Sequence, residues 1–186
     1  EILVVNNLST DGIKQSVERF SSALSASQIV FIPGGFSGGD EPEGSAKFIT
    51  AFMRNPEIKE GVTELLEKRD GLMCGICNGF QALVKSGLLP YGKLGCVCED
   101  SPTLFKNDIN RHISQMVVTR VGCVSSPWLA GMKEGDLHSI AVSHGEGKFV
   151  VSDSLARELF SGGQVNEPVE SVKELFGKFR VTRFLH

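Results

Sequence analysis

The chain has 186 residues, of which 41% are hydrophobic and 22% charged, a composition that excludes a disordered or fibrous protein. At this length a chain buries roughly 70% of its unfolded surface, enough for a well-packed core. The 19 basic and 22 acidic residues give a net charge of −3, which provides no electrostatic basis for binding nucleic acid or an anionic membrane. The apolar runs are too short to span a bilayer, and the sequence begins with no signal or transit pattern. Together with five cysteines, an odd number, these features predict a reducing, cytoplasmic setting.

Strand and helix patterns alternate along the first ninety residues. Continuous apolar runs predict strands at 1–5, 28–32 and 71–76. Helical spacing of apolar residues predicts the intervening helices, the first of them capped by Thr10 or Asp11: 10–24, 46–53, 58–66 and 78–85. Apolar strands separated by helices are typical of an α/β fold with a mostly parallel central sheet.

The pattern changes after Pro90, where short strand-like segments are separated by glycine and proline. The predicted strands are 116–121, 138–142 and 148–151, and Ser152 or Asp153 caps a helix that ends at Phe160. A helix at 169–176 and a strand at 179–184 are predicted for the remaining residues. Because no repeat or linker marks a boundary, we expect a single domain over 1–186.

Residues 75–79, Gly-Ile-Cys-Asn-Gly, have the form G-x-C-x-G between a predicted strand and a predicted helix. This is the cysteine version of the nucleophile elbow, in which a strained turn projects the central side chain from the sheet edge. Cys77 is therefore the candidate nucleophile, and the N–H of Asn78 is a candidate oxyanion donor. A second donor could come from Gly35 or Phe36 if the two preceding strands are neighbours. The alternative is a buried cysteine in a tight turn.

Two other interpretations use the same cysteines. Cys74 and Cys77, with Cys96 and Cys98, approach the spacing of a zinc ribbon, but the second pair is one residue too close and an apolar helix separates the pairs. Cys74 and Cys77 also have the C-x-x-C spacing of a redox pair. Against this, Cys74 lies inside the predicted strand, whereas redox pairs lie together at a helix start. We therefore predict no metal site.

A cysteine nucleophile needs a base, usually a histidine oriented by a carboxylate. His144 lies in 143–147, Ser-His-Gly-Glu-Gly, a polar loop that is better suited to hold a polar substrate than to act as a base. His112 and His138 are expected to be surface residues. His186 is the last residue of the sequence, with no carboxylate two positions beyond it.

Three motifs occur in order at suitable separations: Pro-Gly-Gly-Phe-Ser-Gly-Gly-Asp at 33–40, Gly-Ile-Cys-Asn-Gly-Phe-Gln at 75–81, and Ser-His-Gly-Glu-Gly at 143–147. Together they resemble the class I, triad-type glutamine amidotransferase domains of phosphoribosylformylglycinamidine synthases. The resemblance covers about 2–165 and leaves 166–186 as an atypical tail. It implies a flavodoxin-like, three-layer glutaminase fold.

The resemblance also implies a function in purine biosynthesis. The family hydrolyses L-glutamine through a cysteinyl thioester and delivers the ammonia to a synthetase domain or subunit, where ATP and Mg²⁺ drive the amidine-forming reaction. No cofactor is implied in the glutaminase domain itself. Matched motif by motif, Cys77 is the nucleophile, Gly35 and Asn78 supply the oxyanion N–H groups, and four residues grip the α-amino and α-carboxylate ends of glutamine: Gln81, Ser143, His144 and Gly145.

The sequence departs from the family pattern at three places. The family's catalytic histidine and glutamate lie in an H-x-E motif near the end of the domain, and none follows Val165. Residues 105–115 also differ from the usual glycine- and arginine-bearing form. The family's first strand is missing, so the resemblance implies a fold truncated at both ends. These departures leave a second function open, in which the chain is a catalytically inactive glutamine-binding or regulatory module of the same fold. A redox-stress protein with a cysteine elbow is a further alternative.

Overall fold

A computed structural model describes residues 1–35 and 46–164, and the predictions for 36–45 and 165–186 lie outside these residues. Contacts divide the described residues into two compact units: unit 1, residues 1–35 with 46–96, and unit 2, residues 97–164. Both units combine helices with strands, which confirms the α/β class.

Unit 1 consists of helices around a two-stranded parallel sheet. The strands are β1 (Ile29–Ile32) and β2 (Leu72–Gly75), which pair in parallel as the apolar runs predict. The helices, in chain order, are α1 (Thr10–Ala26), α2 (Lys47–Met53), α3 (Pro56–Thr63) continued by a π-helical turn (Glu64–Lys68), α4 (Asn78–Lys85) and α5 (Leu88–Tyr91). The largest fully buried side chains of the core between them are Ile58, Val62, Leu65 and Val84.

Unit 2 is built from two antiparallel strand pairs and a helix. Strand β3 (Thr103–Phe105) pairs with β6 (Lys148–Val150), and β4 (Ile113–Arg120) pairs with β5 (Leu137–His144). A 3-10 turn (Pro127–Leu129) lies between β4 and β5, and α6 (Asp153–Ser161) follows β6 with the predicted Ser152 as its N-cap. Val117 is the buried centre of the β4–β5 pair, where Ile113, Ile140 and Val142 pack against it. Parallel pairing is thus confined, within the described residues, to unit 1.

Two predictions near the start of the chain are wrong. Residues 1–5 form no strand, and Ile2 and Val4 are 88% and 76% exposed. An apolar run becomes a strand only with a neighbour to bond, and the N–H of Asn6 instead donates to Ser16 Oγ of α1 at 2.9 Å. The N-cap of α1 is also one residue earlier than predicted, because Ser9 Oγ accepts from the N–H of Gly12 at 3.0 Å.

The C-terminal end of α1 is held by Arg69, which follows the π-helical turn. Its Nη1 donates to the carbonyls of Ser25 and Ser27 at 2.8 and 2.9 Å, and its Nη2 donates to Leu24 O at 2.7 Å. Carbonyls in the last turn of a helix lack intrahelical donors and carry partial negative charge. One guanidinium therefore satisfies three acceptors and fastens α1 to the segment that leads into β2.

Helix α4 crosses β1 at very close range through Gly79. A Cβ built on Gly79 would overlap the carbonyl oxygen of Ile32 and lie 3.0 Å from the Cβ of that residue. Backbone atoms of β1 cannot move aside without breaking the sheet pairing. A side chain at position 79 would therefore push α4 away from β1.

We expect Arg69→Met to lower the free energy of unfolding by about 1.5–3 kcal/mol, because charge-assisted hydrogen bonds to the end of α1 are lost. Urea denaturation of the full chain measures this. Lys68→Met, at the exposed neighbouring position, is the control and should change stability by less than about 0.5 kcal/mol. Equal stability of the two variants would contradict the role given to Arg69.

We expect Gly79→Ala to lower the free energy of unfolding by about 2–3 kcal/mol through overpacking against β1. The matched control is Gly131→Ala, since a Cβ there meets nothing within 4 Å. Urea denaturation of both variants makes the comparison. A Gly79→Ala protein as stable as Gly131→Ala would show that α4 and β1 are not in close contact.

Candidate functional site

Ile76 and Cys77 form the whole connection between β2 and α4. The backbone of Cys77 has φ +53° and ψ −111°, in the left-handed region that non-glycine residues rarely adopt. The turn is held by two hydrogen bonds, from the N–H of Gly79 to Ile76 O and from the N–H of Gln81 to Cys77 O, both 3.0 Å. Cys77 is exposed and its thiol is free. These are the features of a nucleophile elbow, and they contradict the alternative of a buried cysteine.

The residues on either side of the elbow have no room for side chains. A Cβ on Gly75 would lie 2.6 Å from the carbonyl carbon and oxygen of Gly79 and 2.8 Å from Leu83 Cδ1. Gly79 in turn packs against the backbone of Ile32, where a Cβ would overlap the carbonyl oxygen. Small residues on both sides of Cys77 are thus a steric requirement of the turn, as the G-x-C-x-G pattern predicts.

Pairing of β1 with β2 brings the first motif beside the cysteine. Ile32 is opposite Gly75, and the N–H of Ile76 donates to Ile32 O at 3.0 Å, so both strands end at the same edge. A Cβ on Gly34 would be 2.9 Å from Cys77 Cβ and 3.8 Å from its Sγ. Gly35 follows with φ +132°, and a Cβ built there would meet nothing within 4 Å. Strands β1 and β2 are thus neighbours, as a second oxyanion donor from this bend requires. Phe36 lies outside the described residues.

Asn78 and Gln81 occupy the first turn of α4. Both are buried, at 4% and 7% exposure. Asn78 is the first residue of the helix. The structure therefore groups four of the predicted site residues in unit 1, in the bend after β1, in the elbow and on α4: Gly35, Cys77, Asn78 and Gln81.

The other predicted site residues are in unit 2, at the end of β5. Ser143 and His144 were predicted to lie in a loop after the strand, but they are its last two residues, opposite Ser114 and Ile113 of β4. Strand pairing continues to His144 because β4 begins far enough upstream to bond to it. Gly145 is the first residue beyond the strand and is half-buried.

A residue that the sequence argument missed, Asn107, joins the segment after β3 to the turn after β5. Asn107 is 3% exposed, its N–H donates to Gly145 O at 2.9 Å, and its Nδ2 donates to His144 O at 2.9 Å. Its Oδ1 lies 3.0 Å from His144 Nδ1 and accepts from the N–H of Gly147 at 3.3 Å. Nothing in the sequence links positions 107 and 144; only the β3–β6 and β4–β5 registers bring them together.

His112 was expected to be a surface residue without a role, and it is exposed but bonded to the predicted site. Its Nε2 lies 2.9 Å from Ser143 Oγ. Partial burial, and secondarily the positive charge of His112, lower the pKa of His144 below its usual value. His144 therefore remains neutral to lower pH than a solvent-exposed histidine.

The two other interpretations of the cysteines find no support in the geometry. Within residues 1–35 and 46–164, no three His, Cys, Asp or Glu side chains converge as metal ligands, so the four cysteines of the zinc interpretation do not form a cluster. Cys74 lies inside β2 and Cys77 beyond its end, and neither forms a disulfide. Among the same residues, none of the helices has the length and hydropathy needed to cross a bilayer.

Comparison with known proteins gives the same result as the motifs. Residues 4–167 match the family model of the CobB/CobQ-like glutamine amidotransferase domain. Phosphoribosylformylglycinamidine synthase subunit PurQ of Salinibacter ruber is 32% identical over 144 residues, which are 77% of this chain and 54% of the relative. The PurQ subunit of Koribacter versatilis is 34% identical over 130 residues, 70% of this chain and 49% of the relative.

Among solved structures, that of PurLQS from Thermotoga maritima superimposes with a TM-score of 0.53 at 27% identity, covering 68% of this chain and 51% of that one. The chain thus spans about half the length of the curated relatives it matches. The family model covers most of the sequence and includes both the elbow and the end of β5. The chain belongs to the family of CobB/CobQ-like glutamine amidotransferase domains.

Proposed function

We propose that this chain is the glutaminase part of a phosphoribosylformylglycinamidine synthase and uses Cys77 to hydrolyse glutamine for purine biosynthesis. The observation that carries the proposal is the left-handed backbone conformation of Cys77, an exposed residue just beyond the C-terminal end of β2 and beside Gly34 of the first motif. A backbone held in such a conformation costs about 1–3 kcal/mol, and strain of this kind is concentrated at active sites. The PurQ relatives support the same function over the inactive module.

In the proposed reaction Cys77 Sγ attacks the side-chain amide carbon of glutamine. The C–N bond breaks as the proton from the thiol reaches the nitrogen, ammonia leaves, and a thioester remains. Water then cleaves the thioester, which releases glutamate and restores the thiol. The N–H groups of Gly35 and Asn78 stabilise the oxyanion in both steps, each donor contributing about 3–4 kcal/mol if it acts as oxyanion donors do elsewhere.

Substrate recognition is proposed for the remaining site residues. Gln81, Ser143, His144 and Gly145 hold the α-ammonium and α-carboxylate groups of glutamine. Residues 166–186 contain no H-x-E sequence, so we assign no residue of this chain as the general base. The prediction of one amidotransferase domain over 1–186 remains part of the proposal.

The partner in this proposal is a synthetase domain or subunit that receives the ammonia. ATP and Mg²⁺ belong to that partner, and the glutaminase itself uses no cofactor. We place the reaction in the cytoplasm, consistent with the metabolic role and with five cysteines that form no disulfide. Nucleic acid and membrane have no part in it.

Cys77→Ala is expected to abolish covalent labelling by the glutamine analogue 6-diazo-5-oxo-L-norleucine and to lower ammonia release by at least about 10³-fold, because the nucleophile is removed. Intact-mass spectrometry and an ammonia assay measure the two effects. The control is Cys96→Ala, which removes another exposed thiol of unit 1 and should leave both unchanged.

Labelling that survives Cys77→Ala would contradict the role of Cys77. Glutamine binding by the unaltered chain with its synthetase partner, without any ammonia release, would instead support the inactive module.

A further inference from the structure

We propose that Asn107 is a positioning residue that fixes one tautomer of His144, so that Nε2 of this imidazole accepts a hydrogen bond from the α-ammonium group of glutamine. The choice of glutamine as the ligand rests on the proposed function. The tautomer of His144 depends only on contacts within unit 2.

The orientation of the Asn107 amide is determined by its neighbours. One end of the amide faces two carbonyl oxygens, those of Arg111 at 3.0 Å and His144 at 2.9 Å. Carbonyls only accept, so this end must be the NH₂ group. The other end faces the N–H of Gly147, which only donates, and must therefore be the oxygen.

The amide oxygen in turn determines the tautomer of His144. Oδ1 has no proton to give, so the 3.0 Å contact with Nδ1 is a hydrogen bond only if Nδ1 carries the proton. In the neutral imidazole the other nitrogen, Nε2, then holds a lone pair and accepts. Because Asn107 is 3% exposed, water does not compete effectively for these bonds.

Chain topology makes this arrangement rigid. Asn107 is two residues beyond the end of β3, and residues 145–147 join β5 to β6, so both connections lie between the same two strand pairs. Lys148 forms an ion pair with Asp108 across them. The His144 ring also lies directly against Gly147, where a built Cβ would overlap the imidazole. The ring is thus held by a hydrogen bond at Nδ1 and by the backbone at Gly147.

This tautomer selects between the two ends of glutamine. A lone pair at Nε2 accepts from an ammonium group and repels a carboxylate, so His144 pairs with the α-ammonium group. The lowered pKa of His144 is consistent with this, because a protonated ring would lose the acceptor. His112, which precedes β4 and is bonded to Ser143, lowers the pKa of His144 as well when its own ring is protonated.

The tautomer is tested without ligand on the full chain labelled with ¹⁵N-histidine. Multiple-bond ¹H–¹⁵N spectra distinguish the two tautomers, and the His144 signals are assigned by their loss in His144→Gln. We expect the Nδ1–H form in the unaltered chain and a change toward Nε2–H in Asn107→Ala. An Nε2–H form in the unaltered chain, or the same tautomer in both, would overturn the proposal.

Asn107→Asp is the second variant and covers the case in which Asn107→Ala fails to fold. It keeps an acceptor for His144 Nδ1–H and Gly147 N–H but adds a negative charge beside the ring. We expect the Nδ1–H form to persist and the pKa of His144 to rise relative to the unaltered chain, followed by NMR titration. An unchanged pKa would show that position 107 does not contact the imidazole and would overturn the proposal.

Glutamine recognition is tested by isothermal titration of glutamine and of 4-carbamoylbutanoate, which lacks the α-ammonium group. Asn107→Ala should weaken glutamine binding about tenfold and leave binding of 4-carbamoylbutanoate unchanged. A purely structural defect would weaken both ligands equally and would overturn the proposal.

The control for lost stability is Asn55→Ala, which removes the N-cap of α3 in unit 1 and should change neither affinity nor the His144 spectrum. If the unaltered chain binds no glutamine, the proposed function and the ammonium contact fail, while the tautomer result still decides the role of Asn107.

Discussion

The parallel pairing of β1 with β2 is the interaction on which the candidate site depends. Its register sets Ile32 opposite Gly75, so the Pro-Gly-Gly bend that follows β1 ends beside the elbow that follows β2. Helix α4 then packs directly on β1 through Gly79. A shift of one residue in this pairing would turn every side chain of a strand to the other face and would separate the first motif from Cys77. The sulfur of Cys77 is therefore positioned by backbone contacts, with glycines where two backbones meet.

The strained backbone of Cys77 persists because the surrounding contacts determine it. Hydrogen bonds from Gly79 and Gln81 close the turn, and a bond from Ile76 ties it to β1. In unit 2 the buried residue Asn107 bonds to His144 and Gly147 through its side-chain amide and to Gly145 O through its backbone N–H. In both units polar contacts from a neighbouring segment fix the conformation of a candidate site residue, Cys77 in unit 1 and His144 in unit 2.

Much of unit 1 could be predicted from the sequence, because its signals are local. Apolar runs gave β1 and β2, helical spacing gave α1 and α4, and the two glycines around Cys77 gave the elbow. The strand predicted at 1–5 failed because hydropathy describes a segment but not the neighbour it must pair with. The extension of β5 through Ser143 and His144 was missed for the same reason: the partner strand β4 decides where β5 ends. Asn107 and His112 were missed because their contacts with β5 depend on strand registers, which no local pattern records.

The most direct test of the central claim is to trap the acyl-enzyme. The chain, with its synthetase partner, is mixed with glutamine and quenched in acid within one turnover, and the adduct is located by tandem mass spectrometry. A glutamyl thioester on Cys77, absent from Cys77→Ala, is the result predicted by an elbow that presents this sulfur to the substrate. Glutamine hydrolysis with the adduct on another residue, or with no acyl adduct at all under conditions that trap one in a known glutaminase, would contradict it.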